Sequence, residues 1–487
     1  MHRFSVLPLA GDVWLLAAGA FLTLAIAAAS VQMGPTLPVG GLAALFVFSA
    51  LVVAFVAVPH IAVAALIPVF AVLPMVKTLW LPTAGPVKDV AAVAAFAAVA
   101  LLTIERHRLR ARSAVDPVVA ACILALLLLY VVNIGGGFKP GAYDEAWGHG
   151  VRLIAEPFLL LLVGLSVENP RRVFHWAMGS LVATSAVVAL YGIAQQVLGP
   201  DGLVALGYTW DVQIQTVGNF LRSFGTLDDP FLYAAFLSFG LAAVLLWMQR
   251  GTLALLAGAT ISAGILVGFV RTSAIIVVAL LGIWLVAQRR PVPAAAVLAA
   301  AVIGAFVIFF SSAQATESRT VRAGSNTYLT LNGRTDAWKV ALGGPIDWPF
   351  GLGVGEVGTA AERATFDLAR TAEEARDSRV EAVDSGYFAT IADVGFVGLA
   401  VLAILLGRLF VAARGAAALG LASGRIAMAI LVVLSLDAIT RSSFQGFPTA
   451  FIGMLLIGVA LASSAAERAA LEAVSYTHLT LPTIYSV

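Results

Sequence analysis

The chain consists mainly of long apolar runs separated by short polar connections. A helix needs about 20 apolar residues to cross a bilayer. Runs rich in alanine, leucine and valine favour helices, because a strand of a membrane barrel alternates in pieces of about ten residues. We assign candidate spans at 12–31, 38–57, 59–79, 86–104, 117–134, 152–167, 173–197, 230–248, 252–270, 273–288, 294–312, 385–407, 426–444 and 447–464. The second and third nearly adjoin, so the pattern predicts an all-α polytopic membrane protein with about 12–14 transmembrane helices.

One polar segment interrupts this pattern. From about Ser311 to Val383 the sequence becomes rich in arginine, glutamate and aspartate. We therefore predict that residues 1–313 hold the helices up to about the eleventh, that 314–383 form one large outer loop, and that 384–466 hold the last helices. A membrane-buried chain with one large loop on one face is expected to work at that face.

The long loop is expected to be partly helical. Arg334 to Leu342 has a helical composition and ends at Gly343-Gly344-Pro345, which is a strong stop signal. The glycine-rich stretch at 350–355 is interpreted as a turn, because no strand precedes it and no Gly-Lys-Ser/Thr follows it as in a phosphate loop. Residues 474–487 change style abruptly and resemble a translated sequencing adaptor, so we predict a non-native tail there.

Composition supports the membrane assignment. The chain of 487 residues is 61% hydrophobic and 11% charged, with a mean hydropathy of +0.97, whereas soluble domains carry about 25% charged residues. The net charge of +2 gives no indication of nucleic acid binding. The single cysteine, Cys122, excludes a disulfide framework, and no histidine, aspartate or glutamate cluster has the spacing of metal ligands. No metal site is expected.

The basic residues of the short loops predict the orientation. Cytoplasmic loops carry an excess of lysine and arginine. The basic loops contain Arg106, Arg108, Arg110, Arg112, Arg171, Arg172, Arg250, Arg289, Arg290, Arg414, Arg425 and Arg468. They alternate correctly along the chain when all of them are cytoplasmic. Both termini are then inside, and the loops at 135–151, 198–229 and 314–383 face outward.

Four polar features fall on the predicted outer face. They are Arg222 to Pro230, Arg271-Thr-Ser273, Arg334 with Trp338, and Asp384-Ser-Gly-Tyr387 with Asp393 and Gly395 behind it. Arginine suits a phosphate in a partly dry site, because its planar fork makes bidentate bonds and keeps its proton. Three arginines that reach one outer pocket, Arg222, Arg271 and Arg334, would suit a pyrophosphate.

Each arginine also has a structural interpretation. Arg222 could pair with Asp228 or Asp229, and Arg334 could be a surface charge at a helix end. For Arg271 the functional interpretation is favoured, because a short outward connection rarely needs a charge and ionisable groups at membrane depth are commonly functional. These alternatives stay open at the level of the sequence.

The acidic residues near the re-entry point also allow two interpretations. Asp384 could cap the helix that follows, or it could accept a proton as a general base. Tyr387 is typical of an interfacial anchor. Asp437 and Arg441 are interpreted as a pair one helical turn apart, with a place at the border of the pocket left open.

The order of these motifs resembles that of the O-antigen ligase and polysaccharide polymerase family of bacterial membrane proteins. The resemblance extends from about 215 to 460. The residues that carry it are Arg222, Gly225, Asp229-Pro230, Arg271-Thr-Ser, Gly333-Arg334, Trp338, Pro349-Phe-Gly-Leu-Gly-Val-Gly355, Asp384-Ser-Gly-Tyr387 and Asp393-Val-Gly-Phe-Val-Gly398. No single motif is specific, but their order around one long, late outer loop is moderately so.

The resemblance implies a glycosyltransferase of GT-C-like architecture in the bacterial inner membrane. It would act at the outer leaflet on undecaprenyl-pyrophosphate-linked oligosaccharide, with an acceptor glycan or lipid A core as the second partner and with no nucleotide sugar, metal or other cofactor. The family's arginines are thought to hold the pyrophosphate, and Arg222, Arg271 and Arg334 match them. Asp229, together with the aromatic residues Trp338 and Tyr387, is expected to contact substrate.

The sequence departs from the ligase pattern at one position. Ligases commonly carry a His-Asn pair where the loop re-enters the membrane, whereas this chain has Asp384-Ser385. The difference favours a polymerase over a ligase, with Asp384 in the role of the base.

Two rival functions come from other classes. A transporter or lipid flippase would place charges and broken helices near the midplane, whereas the charges here gather at one rim; it should also tolerate truncation of the 314–383 loop better than an enzyme. A non-catalytic scaffold would tolerate single arginine changes at helix ends.

Overall fold

Twelve α-helices lie within the part of the chain that the structure, a computed structural model, describes. The described residues are 37–108, 116–133, 145–210, 212–217, 220–248, 251–288, 338–339, 342–343, 346, 348–356 and 385–480. The helices are α1 (Leu37–Ala57), α2 (Pro59–Leu79), α3 (Val87–Arg108), α4 (Pro117–Val132), α5 (Glu145–Ser166), α6 (Pro170–Leu206), α7 (Pro230–Ala243), α8 (Thr252–Val267), α9 (Arg271–Gln288), α10 (Gly386–Ala418), α11 (Ala422–Asp437) and α12 (Thr449–Thr480). A 3-10 turn lies at Pro82–Ala84 and a π-helical turn at Val244–Met248.

The predicted fold class is confirmed. Twelve of the predicted spans each coincide with one helix, and the other two, 12–31 and 294–312, lie outside the described residues. Within the described part, α2, α6, α7 with its π-helical turn, α9, α10 and α12 are long and apolar enough to cross a membrane. The protein is an all-α, multi-pass membrane protein. The predicted tail begins inside α12, which continues to Thr480; its non-native origin stays a prediction.

The helices alternate in direction, as contacts at their ends show. At one end, the Thr78 hydroxyl at the end of α2 donates to Asp228 just before α7. At the same end, the amide of Gly386, which begins α10, donates to the carbonyl of Arg441 beyond α11 at 2.6 Å. We call this the site end; there α2, α4, α6, α8 and α11 finish, and α3, α5, α7, α9, α10 and α12 begin.

The opposite end is joined by a separate set of contacts. Arg408, late in α10, pairs with Asp116 before α4. Arg171, at the start of α6, donates to the carbonyl of Ala466 in α12 at 2.7 Å. The helix ends that flank the predicted cytoplasmic loops therefore lie at one end of the bundle, and those that flank the predicted outer loops lie at the other. Which end faces the cytoplasm stays a prediction.

The centre of the bundle is built by close backbone approach. A Cβ added to Gly164 of α5 would lie 2.4 Å from the carbonyl oxygen of Leu455 in α12, and one added to Gly458 would lie 2.5 Å from that of Leu161. Small residues that let two backbones meet are the usual means of packing membrane helices, where lipid is as apolar as the side chains. The glycines thus fix α12 in the middle of the bundle.

Helix α10 is broken at Gly395, and the glycine-rich turn at 350–355 docks into the break. Gly395 has φ +70°, a conformation that side chains disfavour. The amide of Leu352 donates to the carbonyl of Ala392 at 2.7 Å, and the amide of Val397 donates to that of Pro349 at 3.2 Å. The predicted turn is therefore confirmed, and its backbone satisfies polar groups that the break exposes.

Gly395→Ala should strongly destabilise the fold. An added Cβ would lie 1.9 Å from the carbonyl oxygen of Pro349, and the left-handed backbone alone costs about 1–3 kcal/mol for a non-glycine residue. We expect a lower thermal unfolding temperature and less monodisperse protein in detergent. Gly407→Ala in the same helix is the matched control, because its added Cβ meets no atom within 4 Å. Equal stability of the two variants would contradict the docking of the turn.

Candidate active site

Arg222 lies on a short β-hairpin that follows α6. Strands β1 (Gln215–Val217) and β2 (Phe220–Arg222) pair antiparallel, which sets Gln215 opposite Arg222. The Nη1 atom of Arg222 donates to Oε1 of Gln215 at 3.3 Å. Among the described residues, the buried Nε atom of Arg222 has no hydrogen-bond partner. The guanidinium is thus only partly satisfied by the protein.

Two glutamines of α6 fix the segment that follows Arg222. The Oε1 atom of Gln195 accepts the amides of Phe224 and Gly225 at 3.1 and 3.0 Å. The Nε2 atom of Gln196 donates to the Ser223 hydroxyl at 2.7 Å. Because an unpaired amide is costly at this depth, the pair Gln195-Gln196 in an otherwise apolar helix holds the turn in one position.

The same turn is inserted into α2. The hydroxyl of Thr226 donates to the carbonyl of Ala71 at 2.7 Å, and its own carbonyl accepts the amide of Met75 at 3.1 Å. In an unbroken helix the amide of Met75 would donate to the carbonyl of Ala71. Pro74, which disturbs the ladder of α2, explains why a residue from elsewhere can take that place.

Asp229 joins the turn to α7 and to a distant arginine. Its Oδ1 atom caps α7 by accepting the amides of Phe231 and Leu232 at 2.7 and 3.0 Å, with Pro230 as the first helical residue. Arg441 binds the same carboxylate with both terminal nitrogens, at 2.7 Å to Oδ1 and 3.3 Å to Oδ2. This bidentate pair brings the α11–α12 connection to the start of α7.

The ring of Phe231 contacts two guanidinium groups. The Cζ atom of Arg222 lies 4.5 Å from the ring centroid, and that of Arg441 lies 4.9 Å from it. These are distances of cation–π attraction. Arg222 and Arg441, which are far apart in sequence, are therefore neighbours at one aromatic side chain.

Arg271 completes the cluster as the first residue of α9. The next residue, Thr272, shares a hydroxyl hydrogen bond of 3.1 Å with Thr440, one position before Arg441. Arg271 and Arg441 both act electrostatically on Arg222. The start of α9 thus meets the α11–α12 connection at the same place as the hairpin.

The environment of Arg222 disfavours the positive charge of its guanidinium group. Burial lowers the pKa of Arg222 to about 10; Asp229 opposes the change, and the positive charges of Arg441 and Arg271 add to it. The guanidinium stays protonated at neutral pH, but burial and like charge both act against its charge. An opposite charge beside the guanidinium favours its protonated form.

Buried polar side chains beneath the arginines anchor the α11–α12 connection. The Ser443 hydroxyl donates to Asp437 Oδ2 at 2.5 Å. Gln445 Nε2 donates to Asp393 Oδ2 at 3.2 Å, and the Tyr130 hydroxyl lies 3.5 Å from that oxygen. Asp393 precedes the break of α10, so this group joins α4, α10 and the connection that carries Arg441.

The structure brings Arg222 and Arg271 to the same end of the bundle but does not describe the third predicted arginine, and the role of these arginines as one site stays a prediction. Arg334 and Asp384 lie outside the described residues. Trp338 stacks on Phe388 of α10, with ring centroids 4.7 Å apart, so one face of its ring is covered by protein. The Tyr387 hydroxyl donates to the carbonyl of Ser435 at 3.1 Å. The substrate contacts of Trp338 and Tyr387 stay predictions.

Two local assignments made from the sequence are corrected. The cap of α10 is Ser385 and not Asp384, since the helix begins at Gly386; the Ser385 hydroxyl donates to the carbonyl of Ala438 at 3.1 Å. Asp437 and Arg441 are not one turn apart on one helix, because α11 ends at Asp437. Arg441 instead forms its ion pair with Asp229.

Sequence reasoning also missed the ion pair of Arg441 with Asp229 and the contact of the Phe231 ring with both guanidinium groups. The alternative pairing of Arg222 with an adjacent aspartate is not what the structure shows: Asp229 is bound bidentately by Arg441, and Arg222 donates to Gln215. Among the described residues, no group of three or more histidine, cysteine, aspartate or glutamate side chains is placed to hold a metal ion.

The fold defines a multi-pass helical membrane protein in which arginines from distant segments lie together at one end of the bundle. Residues 252–403 match the family model described as O-antigen ligase, which confirms the resemblance for that part of the chain. The match includes Arg271, whereas Arg222, Asp229 and Arg441 lie outside it. The match indicates a membrane glycan ligase or polymerase. A search of curated proteins finds no match to this chain.

Asp228, beside the cluster, has an unusual environment. Its backbone has φ +60°, its Oδ2 atom accepts from the Thr78 hydroxyl, and its buried Oδ1 atom has no partner among the described residues. Burial raises the pKa of Asp228 to about 6; Thr78 and Lys77 oppose the change, and Asp229 adds to it. The folded protein therefore holds this proton at a pH where the unfolded chain has lost it.

Asp228→Asn should stabilise the protein at neutral pH. Between about pH 4 and pH 6 the folded state binds more protons at this group than the unfolded state, so its contribution to stability falls as pH rises through that window. At pH 7 the ionised group costs on the order of 3 kcal/mol, and asparagine removes the cost. Thermal unfolding in detergent at pH 4.5, 6 and 7.5 measures this, with Asp201→Asn, an exposed site in α6, as the control. An unfolding difference that does not change with pH would contradict the assignment.

Proposed function

We propose that the protein is a lipid-pyrophosphate-dependent glycosyltransferase that acts on undecaprenyl-pyrophosphate-linked glycan at the outer leaflet, with polymerase activity favoured over ligase activity. The proposal rests on two contacts: Arg222 and Arg441 share the ring of Phe231, and Thr272 beside Arg271 bonds to Thr440 beside Arg441. Mutually repelling cations at a membrane-embedded helix end make a binding site for a diphosphate.

The proposed chemistry is a single displacement at the anomeric carbon of the lipid-linked sugar. A hydroxyl oxygen of the acceptor forms the new glycosidic bond, and the bond between the anomeric carbon and the diphosphate oxygen breaks. The electron pair stays with the polyprenyl diphosphate, and the proton of the hydroxyl passes to Asp384. Negative charge grows on the leaving diphosphate, so guanidinium groups placed there stabilise the transition state more than the ground state.

The position of the α10 start supports a role for Asp384. Gly386, two residues later in the chain, donates its amide to the carbonyls of Ala438 and Arg441 at 2.9 and 2.6 Å. The chain therefore returns to the membrane beside Arg441. A carboxylate is chemically adequate as a base for a sugar hydroxyl when its pKa suits the working pH.

The distribution of basic residues supports an outward-facing site. The opposite end of the bundle carries described arginines in its short connections and helix termini: Arg171, Arg172, Arg408, Arg414, Arg425 and Arg468. Under the rule that cytoplasmic loops are rich in lysine and arginine, that end faces the cytoplasm. The site end then faces outward, where a glycan already carried across the membrane on its lipid would meet it.

Arg271→Ala should reduce glycan transfer by about 100-fold or more, because removal of one group that stabilises the developing charge commonly costs that much. Arg271→Lys should recover only part of the rate, since an ammonium lacks the bidentate fork. The measurement is the rate of product formation from lipid-linked oligosaccharide by purified protein in lipid nanodiscs. Arg172→Gln, exposed at the opposite end, is the matched control.

Normal transfer by both Arg271 variants would contradict the proposed mechanism. The same variants can be tested in cells that lack the native gene, where loss of lengthened or transferred glycan is expected. Retention of the folded protein is checked by size-exclusion chromatography, so that a loss of activity is assigned to the site and not to misfolding.

Incubation with a single substrate separates the two forms of the activity. A polymerase uses one lipid-linked chain as donor and another as acceptor, so purified protein with undecaprenyl-pyrophosphate oligosaccharide alone should give longer lipid-linked chains. Gel analysis of the released glycan measures their length. If product forms only after lipid A core or another acceptor is added, the preference for polymerase is wrong and the ligase assignment replaces it.

A further inference from the structure

We propose that Arg441 is a third diphosphate-binding residue, and that Asp229 and Phe231 are positioning residues that hold its guanidinium beside Arg222. The inference rests on the proposed function and deepens it, because it names residues outside the family match that complete the anion site. Its basis is the geometry around the first turn of α7.

Arg441 reaches the cluster from a connection that lies far from Arg222 in sequence. Its bidentate bond to Asp229 fixes the plane of the guanidinium, since both terminal nitrogens face the carboxylate. The side chains of Arg441 and Asp229 remain 23% and 28% exposed. The pair therefore lies at the border of the site, where a ligand can reach it, and not within the protein core.

The ion pair with Asp229 does not cancel the charge of Arg441 at the site. Oδ1 of that carboxylate also accepts two amides at the start of α7, so its negative charge is shared among several donors. Arg441 still lowers the pKa of Arg222 in spite of the pair. The second carboxylate nearby, Asp437, is buried and accepts from Ser443. Arg441 therefore contributes positive charge beside Arg222, although its carboxylate partner is close.

Phe231 sets the relation between the two guanidinium groups. It is the second residue of α7, directly after the cap Asp229 and the proline at the first helical position, and these two residues fix where the helix begins. The ring contacts both Arg222 and Arg441. The short segment Asp229-Pro230-Phe231 therefore has two effects. The carboxylate of Asp229 binds Arg441, and the ring of Phe231 holds Arg441 beside Arg222.

The test uses full-length purified protein in phosphatidylcholine nanodiscs and measures the binding of undecaprenyl diphosphate. Arg441→Gln should weaken binding about tenfold or more, as expected for one lost charge-assisted contact. Arg441→Lys keeps the charge but not the bidentate geometry, so it should bind with intermediate affinity. Phe231→Leu should weaken binding severalfold and Phe231→Tyr should restore it, because tyrosine keeps the aromatic face. Arg172→Gln is the control.

Two further ligands separate the possible sources of the anion. Inorganic pyrophosphate, used as a competitor, should lose affinity for Arg441→Gln in the same proportion as undecaprenyl diphosphate does. When the nanodiscs contain phosphatidylglycerol, the wild type and Arg441→Gln should bind this lipid equally. A lone phosphodiester does not need the third arginine. An effect of Arg441→Gln confined to phosphatidylglycerol would show a general site for anionic lipid and overturn the proposal.

The failure of this inference differs from the failure of the proposed function. If Arg441→Gln and Phe231→Leu bind undecaprenyl diphosphate as the wild type does while Arg222→Gln does not, Arg441 serves structure alone and the inference is wrong. If Arg222→Gln and Arg271→Gln also bind normally, the proposed function itself is wrong. Should Arg441→Gln fail to fold, the comparison of Phe231→Leu with Phe231→Tyr decides, because unchanged affinity in both overturns the positioning role.

Discussion

The placement of three positive charges in a partly buried site is the constraint on which the rest of this structure depends. Arg222, Arg271 and Arg441 lie together at the end of a membrane bundle; burial lowers the pKa of Arg222, Asp229 opposes the change, and the charges of Arg441 and Arg271 add to it. Such a group is tolerated only if the scaffold prevents the arginines from separating, or if a ligand supplies the missing negative charge. The structure provides the scaffold, and the proposed diphosphate would provide the charge.

The scaffold consists of polar side chains that replace backbone bonds at points where helices break. Gln195 and Gln196 bind the turn behind Arg222, and Thr226 bridges the ladder of α2. Gly395 opens α10 to a turn from the long loop segment. Non-helical backbone is admitted at membrane depth only where protein satisfies it, so each break also fixes the position of a segment that carries the site.

The helices and part of the arginine cluster could be predicted from the sequence. The length of an apolar run and the charge of a loop are local signals. The existence of the described helices followed from the lengths of apolar runs, although α11 ends at Asp437 and not at 444. Arg271 was favoured because a short outward connection rarely needs a charge, whereas Arg222 also had a structural interpretation. The breaks at Pro74 and Gly395 were not predicted, since both lie inside runs that are long and mainly apolar. What enters each break comes from a distant part of the chain and leaves no local signal.

Arg441 shows most clearly where sequence reasoning fails. Its spacing from Asp437 fits a pair on one helix, but α11 ends before it, and its ion-pair partner Asp229 is 212 residues away. In the sequence, Phe231 is one of many apolar residues in the run that follows Asp229 and Pro230, and nothing marks it as a contact of two arginines. Periodicity reports which face of a helix is apolar, but it cannot report which helix ends meet, so these two contacts required the three-dimensional arrangement.

A cryo-electron microscopy structure of the full chain with undecaprenyl diphosphate in nanodiscs tests the central claim most directly. The account predicts density for the diphosphate in contact with the guanidinium groups of Arg222 and Arg271 at the site end, with Arg441 beside it. Diphosphate density at another place in the bundle, or guanidinium groups that point away from one another, would contradict it.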